Sequence, residues 1–209
     1  MQRSTVSKLT DPIVYDGDNY KEQLQQAMDI FFNTFLKKDI KPLYEGKFIF
    51  FDMQKKKGNI TLPFSERFLH IVSLDDEEKY TMFPCANDVS YELCETECNI
   101  EYASPFLRAI NRWDCPYRLA RIHWIKQVID LANEGNSNIT EWDEYDKDSR
   151  GQRTVKRLIR YHCGMDDYVV ILLERKNDYY FYTAYPVLTK TKKATYDRKY
   201  REHVKEHEK

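Results

Sequence analysis

The feature that most constrains this chain is a run of three strand-like segments close to its C-terminus. Residues 168–174 read YVVILLE, a continuous apolar run, and strand-forming side chains also fill residues 154–161 and 179–187. Only a few turn residues separate the three segments. Antiparallel strands need only a short loop between them, whereas parallel strands need a crossover of about a dozen residues or more. The sequence therefore predicts an antiparallel meander in chain order.

Helical periodicity accounts for much of the remaining chain. Apolar residues recur at three- and four-residue spacing over residues 19–38, which predicts a core-facing helix. Residues 102–113 and 117–132 are expected to form two more helices, with the second packed on a face of the sheet. Residues 194–209 are expected to form a charged helix. The predicted fold class is α+β, with N-terminal helices followed by a twisted antiparallel β-sheet and a C-terminal charged helix.

The N-terminal half also contains shorter apolar runs between turn signals. Residues 47–53 are rich in Phe and predict a strand, residues 55–59 predict a turn, and residues 60–62 are expected to begin the return strand. Residues 68–72 continue the apolar pattern, and we expect them to form a second short strand or a buried loop.

The length of 209 residues suits one main domain. We expect an irregular N-terminal arm over 1–18, a single α+β domain over 19–200 and a charged tail over 201–209. Between residues 66 and 101 the chain has ten acidic residues and two basic ones. An acidic insertion at about 75–116 is therefore expected to be solvated and not to bind polyanions.

Overall composition excludes some classes of function and leaves others open. The formal net charge is −1, so a nucleic-acid site would have to come from local basic patches. No apolar run is long enough for a transmembrane helix and the N-terminus has no secretory signal, so no membrane partner is expected. The chain has five cysteines, and this odd number without a signal peptide favours reduced thiols and a cytoplasmic location. Cys85, Cys94 and Cys98 lie close together, which leaves a zinc-stabilised interaction domain as one alternative.

Two predicted strands carry side chains that could bind a ligand or take part in catalysis. Period-two geometry places Lys156 and Arg160 on one face of the 154–162 strand, where they would form a cationic face. The same rule gives Thr183 and Tyr185 a common face on the last strand, together with Tyr179 and Phe181. Hydroxyl donors beside a basic strand are typical of a site that binds phosphate, although ordinary strand packing explains the aromatic residues equally well.

No signature of a kinase, dinucleotide enzyme, zinc protease or serine hydrolase occurs. Instead, residues 118–126 read RLARIHWIK, residues 180–187 read YFYTAYPV, and residues 63–70 read PFSERFLH. In this order the segments resemble phage- and mobile-element-associated nucleases of the barnase/EndoU/colicin/RelE-like superfamily. The resemblance covers residues 20–74 and 117–200. Many members have a His-Leu-x-Gly sequence, from which this chain departs because His70 precedes Ile-Val-Ser.

The resemblance implies a metal-independent endoribonuclease that needs no cofactor. In such an enzyme the RNA 2′-hydroxyl attacks the adjacent phosphorus while side chains move the proton and stabilise the charge. RNA would be the substrate, a protein inhibitor or antitoxin would be a partner, and the role would be that of a toxin or a phage effector. The implied catalytic residues are His70, Arg121, Thr183 and Tyr185. The implied RNA-binding residues are Arg118, Lys156, Arg160, Arg198 and Lys199.

A second interpretation of the same resemblance remains open. A catalytically inactive member would keep the fold and act as a binding or virion-associated module, with His70 in a packing role. The ribonuclease hypothesis requires His70 to reach the substrate, whereas the inactive module leaves it in the packing. The zinc-stabilised domain depends on the cysteines and not on His70.

Overall fold

A computed structural model describes residues 8–16, 19–75, 104–147 and 151–207 of the protein. The fold is α+β, as the sequence predicted. The helices are α1 (Tyr20–Phe31), α2 (Glu66–Val72), α3 (Pro105–Arg108), α4 (Pro116–Leu119), α5 (Trp124–Asn133) and α6 (Lys190–His207). The strands are β1 (Leu43–Tyr44), β2 (Lys47–Phe50), β3 (Lys56–Lys57), β4 (Ile60–Thr61), β5 (Ser73–Asp75), β6 (Arg112–Asp114), β7 (Ile139–Lys147), β8 (Arg153–Cys163), β9 (Asp166–Glu174) and β10 (Tyr179–Pro186).

The main sheet has six strands in the order β1-β2-β10-β9-β8-β7. The meander of β8, β9 and β10 in chain order is confirmed, and β7 extends it by pairing antiparallel with β8 along its whole length. The expectation of a purely antiparallel sheet is wrong at one pair, because β2 lies parallel to β10. More than a hundred residues connect these two strands along the chain. A short connecting loop, which makes neighbouring strands antiparallel, is therefore absent from the β2–β10 pair.

Tight turns fix the register of the meander. Cys163 pairs with Asp166 across the β8–β9 connection, where Gly164 has a positive φ of 63°. A side chain is strained in this backbone region, so glycine suits the turn. The register then places Ile159 opposite Val170 and Leu158 opposite Ile171. The two pairs face opposite sides of the sheet.

A β-bulge in β10 changes which of its side chains share a face. The register shifts between Phe181 and Thr183, so Tyr182 is the extra residue. Phe181 is fully buried in the inner core, whereas Tyr185 packs against the cluster on the outer face. The prediction that Tyr179, Phe181, Thr183 and Tyr185 share one face is therefore wrong, because simple alternation does not hold across a bulge. Thr183 and Tyr185 do lie together, opposite Ile171 and Val169 of the outer cluster, whereas Tyr179 and Phe181 belong to the inner core.

The inner face of the sheet is covered by α1, α2 and α5, which form one core with it. The predicted helix over 19–38 is largely confirmed, since α1 continues as a π-helical turn over Phe32–Leu36. Phe31 and Phe35 are each 1% exposed, and their rings stack with centroids 4.9 Å apart. This helix belongs to the core.

The helix expected over 117–132 packs on the sheet but is divided into α4 and α5. Between them the backbone forms tighter bonds, such as Arg121 N to Arg118 O at 3.2 Å and Trp124 N to Arg121 O at 3.0 Å. The helix expected over 102–113 is reduced, within the described residues, to α3, and Arg112–Asp114 forms the strand β6. Pro105 and Pro116 each stand in the first turn of their helix, where proline is tolerated.

Residues 68–72 form a helix and not the expected strand or buried loop. Ser65 caps α2, because its side chain accepts a hydrogen bond from Phe68 N. The helix buries Phe68, Leu69, Ile71 and Val72. A helix that is apolar on nearly all sides looks like a buried strand in sequence. The segment 60–62 likewise returns against β3 and not against the 47–50 strand.

The segment predicted as an acidic insertion begins and ends at a small sheet. Ser73 pairs with Asp114 and Asp75 with Arg112, so the two ends lie side by side. Residues 76–103, with Cys85, Cys94 and Cys98, lie outside the described residues.

The outer face of the sheet has a covered half and an open half. The C-terminal helix α6 is confirmed, and Tyr196 from it packs on Trp142, Leu158, Val169 and Ile171. On the other half, Phe48 and Phe50 of β2 remain 61% and 44% exposed. Within the described part of the chain, no helix has the length and apolarity to cross a membrane.

Candidate functional site

A pocket of about 290 Å³ opens between α6 and the outer face of the sheet. We call it the lysine–tyrosine pocket. Its polar lining consists of the lysines Lys156, Lys192 and Lys199, the tyrosines Tyr182, Tyr185 and Tyr196, the threonine Thr195 and one carboxylate, Glu144. Three of these, Lys156, Tyr185 and Lys199, were among the residues that the sequence predicted as functional.

The three lysines of the pocket differ in how their charge is balanced. Lys156 Nζ lies 2.7 Å from Asp146, and this hydrogen bond raises the pKa of the lysine. Lys199 Nζ lies 2.8 Å from Glu144. Lys192 has no carboxylate within ion-pair distance among the residues that the structure describes. The pocket thus has a positive balance that an anionic group would neutralise.

The aromatic wall holds Lys192 in place. Its Nζ lies 5.1 Å from the ring centroid of Tyr185 and 5.9 Å from that of Tyr196. The hydroxyls of Tyr185 and Tyr196 are hydrogen-bonded to each other. Burial, followed by the effect of Tyr185, raises the pKa of Tyr196, so its phenol stays neutral. Cation–π contacts allow an ammonium group to remain charged near apolar surface.

A second cationic group, the arginine cluster, is buried where α2 meets β5 and comprises Ser73, Arg112 and Arg118. Arg112 donates to Ser73 Oγ at 2.6 Å, to Ser73 O at 2.9 Å and to the backbone oxygen of His70 at 2.9 Å. Arg118 also donates to Ser73 O at 2.9 Å. Both guanidinium groups therefore bond the backbone where α2 passes into β5.

The imidazole of His70 lies half-buried beside this cluster. Burial, followed by the charges of Arg112, Arg118, Arg67 and Lys57, lowers the pKa of His70 to about 3. A histidine with such a pKa is neutral at pH 7. It can accept a proton as a base, but it holds no proton to donate as an acid.

Tyr185 connects the two cationic groups. The guanidinium carbon of Arg118 lies 5.8 Å from the centroid of its ring, and Lys192 lies over the same ring. A continuous series of contacts thus runs from His70 through Arg112, Ser73 and Arg118 to the lysine–tyrosine pocket.

Other predicted residues occupy different surroundings. Arg121 is buried between two rings, 3.4 Å from the Tyr117 centroid and 4.9 Å from that of Trp124, and it donates to Tyr117 O at 3.0 Å. Burial lowers the pKa of Arg121. Thr183 is 7% exposed. The described contacts of Arg121 do not include His70 or Thr183.

Arg160 and Arg198 are ion-paired. Arg160 is buried, with Nη2 located 2.6 Å from Asp167 and Nη1 located 2.6 Å from Asp197. These bonds fasten α6 to the sheet, and an RNA phosphate would have to displace a carboxylate. Arg198 lies on the exposed side of α6 and pairs with Glu202 at 3.0 Å.

Sequence reasoning missed Lys192, Tyr196 and Arg112. The first two had a readable signal, because Lys192, Tyr196 and Lys199 recur at helical spacing and share one face of α6. Arg112 had none, since a helix was expected there. Its role depends on the pairing of β5 with β6.

No three His, Cys, Asp or Glu side chains converge on a possible metal site within residues 8–16, 19–75, 104–147 and 151–207. Of the cysteines in those ranges, Cys115 is buried and Cys163 is half-buried, and neither is joined to the other in a disulfide.

Comparison with known proteins gives no family assignment. No protein-family model matches this sequence, and neither the curated proteins nor the solved structures contain a significant match.

Proposed function

We propose that the protein is a cytoplasmic, metal-independent endoribonuclease that holds an RNA phosphate in the lysine–tyrosine pocket. The observation that carries this proposal is the convergence of three lysines and three tyrosines on one pocket of about 290 Å³. Ammonium groups neutralise phosphate, and tyrosines supply hydroxyl donors and faces for unpaired bases. The resemblance to the barnase/EndoU/RelE-like superfamily adds the reaction type. The resemblance implies helices followed by an antiparallel sheet, and the coarse α+β architecture is compatible with that.

In the proposed reaction the RNA 2′-hydroxyl attacks the adjacent phosphorus. The bond between phosphorus and O2′ forms, and the bond between phosphorus and O5′ breaks. The resemblance assigns the 2′ proton to the neutral imidazole of His70. Because His70 does not line the lysine–tyrosine pocket, this role requires the attacked phosphate to lie beside His70 while the pocket holds another phosphate of the same strand. The departing 5′ oxygen takes a proton from water. The products are a 2′,3′-cyclic phosphate and a free 5′-hydroxyl. The burial and cations that lower the pKa of His70 to about 3 make its imidazole a weak base, and the proposal requires the bound phosphate to raise that pKa.

The test is cleavage of mixed RNA by the purified protein in EDTA. His70→Gln is expected to lower the rate by roughly 10²–10⁴-fold, the usual contribution of a general base. Lys192→Met is expected to weaken RNA binding. Lys38→Met, at an exposed lysine after α1, is the matched control and is expected to behave like the wild type. Circular dichroism of each variant checks folding.

The position of His70 also favours a second function, an RNA-binding module without cleavage. Its pKa of about 3 and its half-buried side chain are typical of a histidine that serves packing. On this interpretation RNA binds in the pocket, Lys192→Met still weakens binding, and no cyclic phosphate appears. Wild-type protein that neither binds nor cleaves RNA would contradict both functions, and activity lost with chelator would contradict the metal-independent mechanism.

A further inference from the structure

The open half of the outer sheet face carries alternating rings and guanidinium groups. The rings of Phe50 and Tyr180 stack with centroids 5.9 Å apart and an interplanar angle of 29°. Arg175 lies 5.2 Å from the Phe50 centroid and 5.4 Å from that of Tyr180. Arg67 lies 5.4 Å from the Tyr180 centroid and 5.8 Å from that of Tyr182. We call Phe50, Arg67, Arg175, Tyr180 and Tyr182 the cation–aromatic strip.

The strip runs directly into the lysine–tyrosine pocket. Tyr182 lines that pocket, and Lys156 lies 5.3 Å from the centroid of its ring. The β-bulge in β10 creates this junction, because Tyr182 is the unpaired residue and Arg67 donates to its carbonyl at 2.7 Å. Tyr182 remains 37% exposed and Phe50 44% exposed. Rings that face solvent in this way offer flat surfaces to a ligand.

The charge of the strip indicates what it binds. Arg175 is paired with Asp178 at 2.6 Å. Within the described part of the chain, Arg67 donates hydrogen bonds to neutral groups, the carbonyl of Tyr182 and the hydroxyl of Tyr180, which do not balance its charge. A ligand that fits must therefore combine flat π-faces with a negative charge that can lie near Arg67. Unpaired nucleic acid has both, whereas a duplex hides its base faces.

We propose that the cation–aromatic strip binds a single-stranded segment of RNA, with bases on Phe50, Tyr180 and Tyr182 and phosphates near Arg67. This inference rests on the proposed function, because it extends the RNA path outward from the pocket. It adds a selectivity that the pocket alone does not supply. Unpaired RNA is held and paired RNA is not.

The experiment measures binding with an oligonucleotide that cannot be cleaved. A labelled 2′-O-methyl strand of about ten nucleotides lies within the roughly 4–16 nucleotides that such surfaces cover, and it has no free 2′-hydroxyl to attack phosphorus. Fluorescence anisotropy gives its affinity for the wild type and for Phe50→Leu and Tyr180→Leu. The same strand annealed to its complement is the duplex probe.

Each strip variant is expected to weaken binding of the single strand by about 5- to 150-fold, the range for removing one base–aromatic stack. Tyr180→Phe keeps the ring but loses the hydroxyl that accepts from Arg67, so it is expected to weaken binding less than Tyr180→Leu. Tyr145→Leu is the matched control, because Tyr145 is 57% exposed and carries Arg153 at 4.0 Å but lies on the edge strand β7. It is also expected to bind like the wild type. The duplex is expected to bind more weakly than the strand and to be unaffected by Phe50→Leu.

The outcomes separate this inference from the proposed function. Wild-type affinity in folded Phe50→Leu and Tyr180→Leu would overturn the strip while leaving cleavage untouched. Equal loss in Tyr145→Leu, equal binding of strand and duplex, or self-association through Phe50 without any oligonucleotide binding would also overturn it. If the strip variants weaken binding of the uncleavable strand and the wild type does not cleave natural RNA, the RNA-binding strip is supported and the ribonuclease function is contradicted.

Discussion

The arginine cluster and the lysine–tyrosine pocket both reach the ring of Tyr185, yet their cations bond to different partners. Arg112 and Arg118 donate to the backbone and side chain of the protein itself. Lys192 contacts two rings, and no carboxylate pairs with it among the described residues. A cation that satisfies buried carbonyls is part of the fold, whereas a cation held by rings beside a pocket is available to an anion. Positive charge in sequence therefore does not by itself identify a binding residue.

The largest expected effect tests the structural side of this comparison. Arg112→Met removes donors from Ser73 O and His70 O, and it leaves buried carbonyl groups without those bonds. We expect the free energy of unfolding to fall by about 3–5 kcal/mol, as when one partner of a buried charged network is removed. Urea denaturation measures it. Lys192→Met is the contrasting variant and should stay within about 0.5 kcal/mol of the wild type. An Arg112→Met variant as stable as the wild type would contradict the claim that the buried arginines serve the fold.

The second effect concerns pH, because His70 has a pKa of about 3 in the folded protein and near 6.5 when unfolded. Between these values the unfolded chain binds a proton that the folded protein does not. Stability is therefore lost as pH falls from about 6.5 towards 3. Between pH 7 and pH 4.5 we expect the wild type to lose about 1–2 kcal/mol more than His70→Leu.

Urea denaturation at the two pH values checks this difference. His123, whose pKa burial lowers to about 4, and Asp114, whose pKa burial raises to about 6, are present in both proteins. Their contributions cancel in the comparison. Equal acid sensitivity of the wild type and His70→Leu would show that His70 is not held neutral by its surroundings.

The third effect tests the ligand side of the comparison through salt. Each phosphate neutralised on a single strand contributes about 0.7 to the slope of log affinity against log salt concentration. Lys192→Met is expected to reduce that slope by about this amount. Arg112→Lys keeps the charge of a buried residue and is expected to leave the slope unchanged. Anisotropy titrations at several salt concentrations give both values, and an unchanged slope in Lys192→Met would place the phosphate elsewhere.

The features that the sequence predicted correctly depend on interactions between residues close together in the chain. The meander followed from short loops and continuous apolar runs, and the helix over 19–38 followed from its apolar stripe. The parallel β2–β10 pair depends on contacts between distant segments, for which no local pattern exists. The bulge at Tyr182 shifted the faces of β10 because one extra residue inverts the alternation.

The candidate site was predictable to a similar extent. Lys156 and Tyr185 were singled out from strand periodicity and Lys199 as an RNA-binding residue that the resemblance implies, and the fold brings them to one pocket. Arg160 looked equivalent to Lys156 in sequence, since both point to one face of β8. Only tertiary structure reveals that two aspartates hold Arg160, because Asp197 comes from α6. Long-range pairing decides which cation is available.

The smallest expected effect lies at the residue that the two cationic groups share. Tyr185→Phe removes the hydroxyl that bonds to Tyr196 but keeps the ring that Arg118 and Lys192 contact. A typical hydrogen bond contributes about 0.5–1.5 kcal/mol to stability, so a loss of this size is expected in urea denaturation. If the hydroxyl also serves as a phosphate donor, RNA affinity falls with it, whereas a ring that only positions Lys192 leaves affinity unchanged. Tyr185→Leu, which removes the ring as well, is expected to lower affinity in either case because Lys192 then loses one of its two aromatic contacts. Equal affinity in Tyr185→Leu and the wild type would show that Tyr185 connects the two groups in space without coupling them in function.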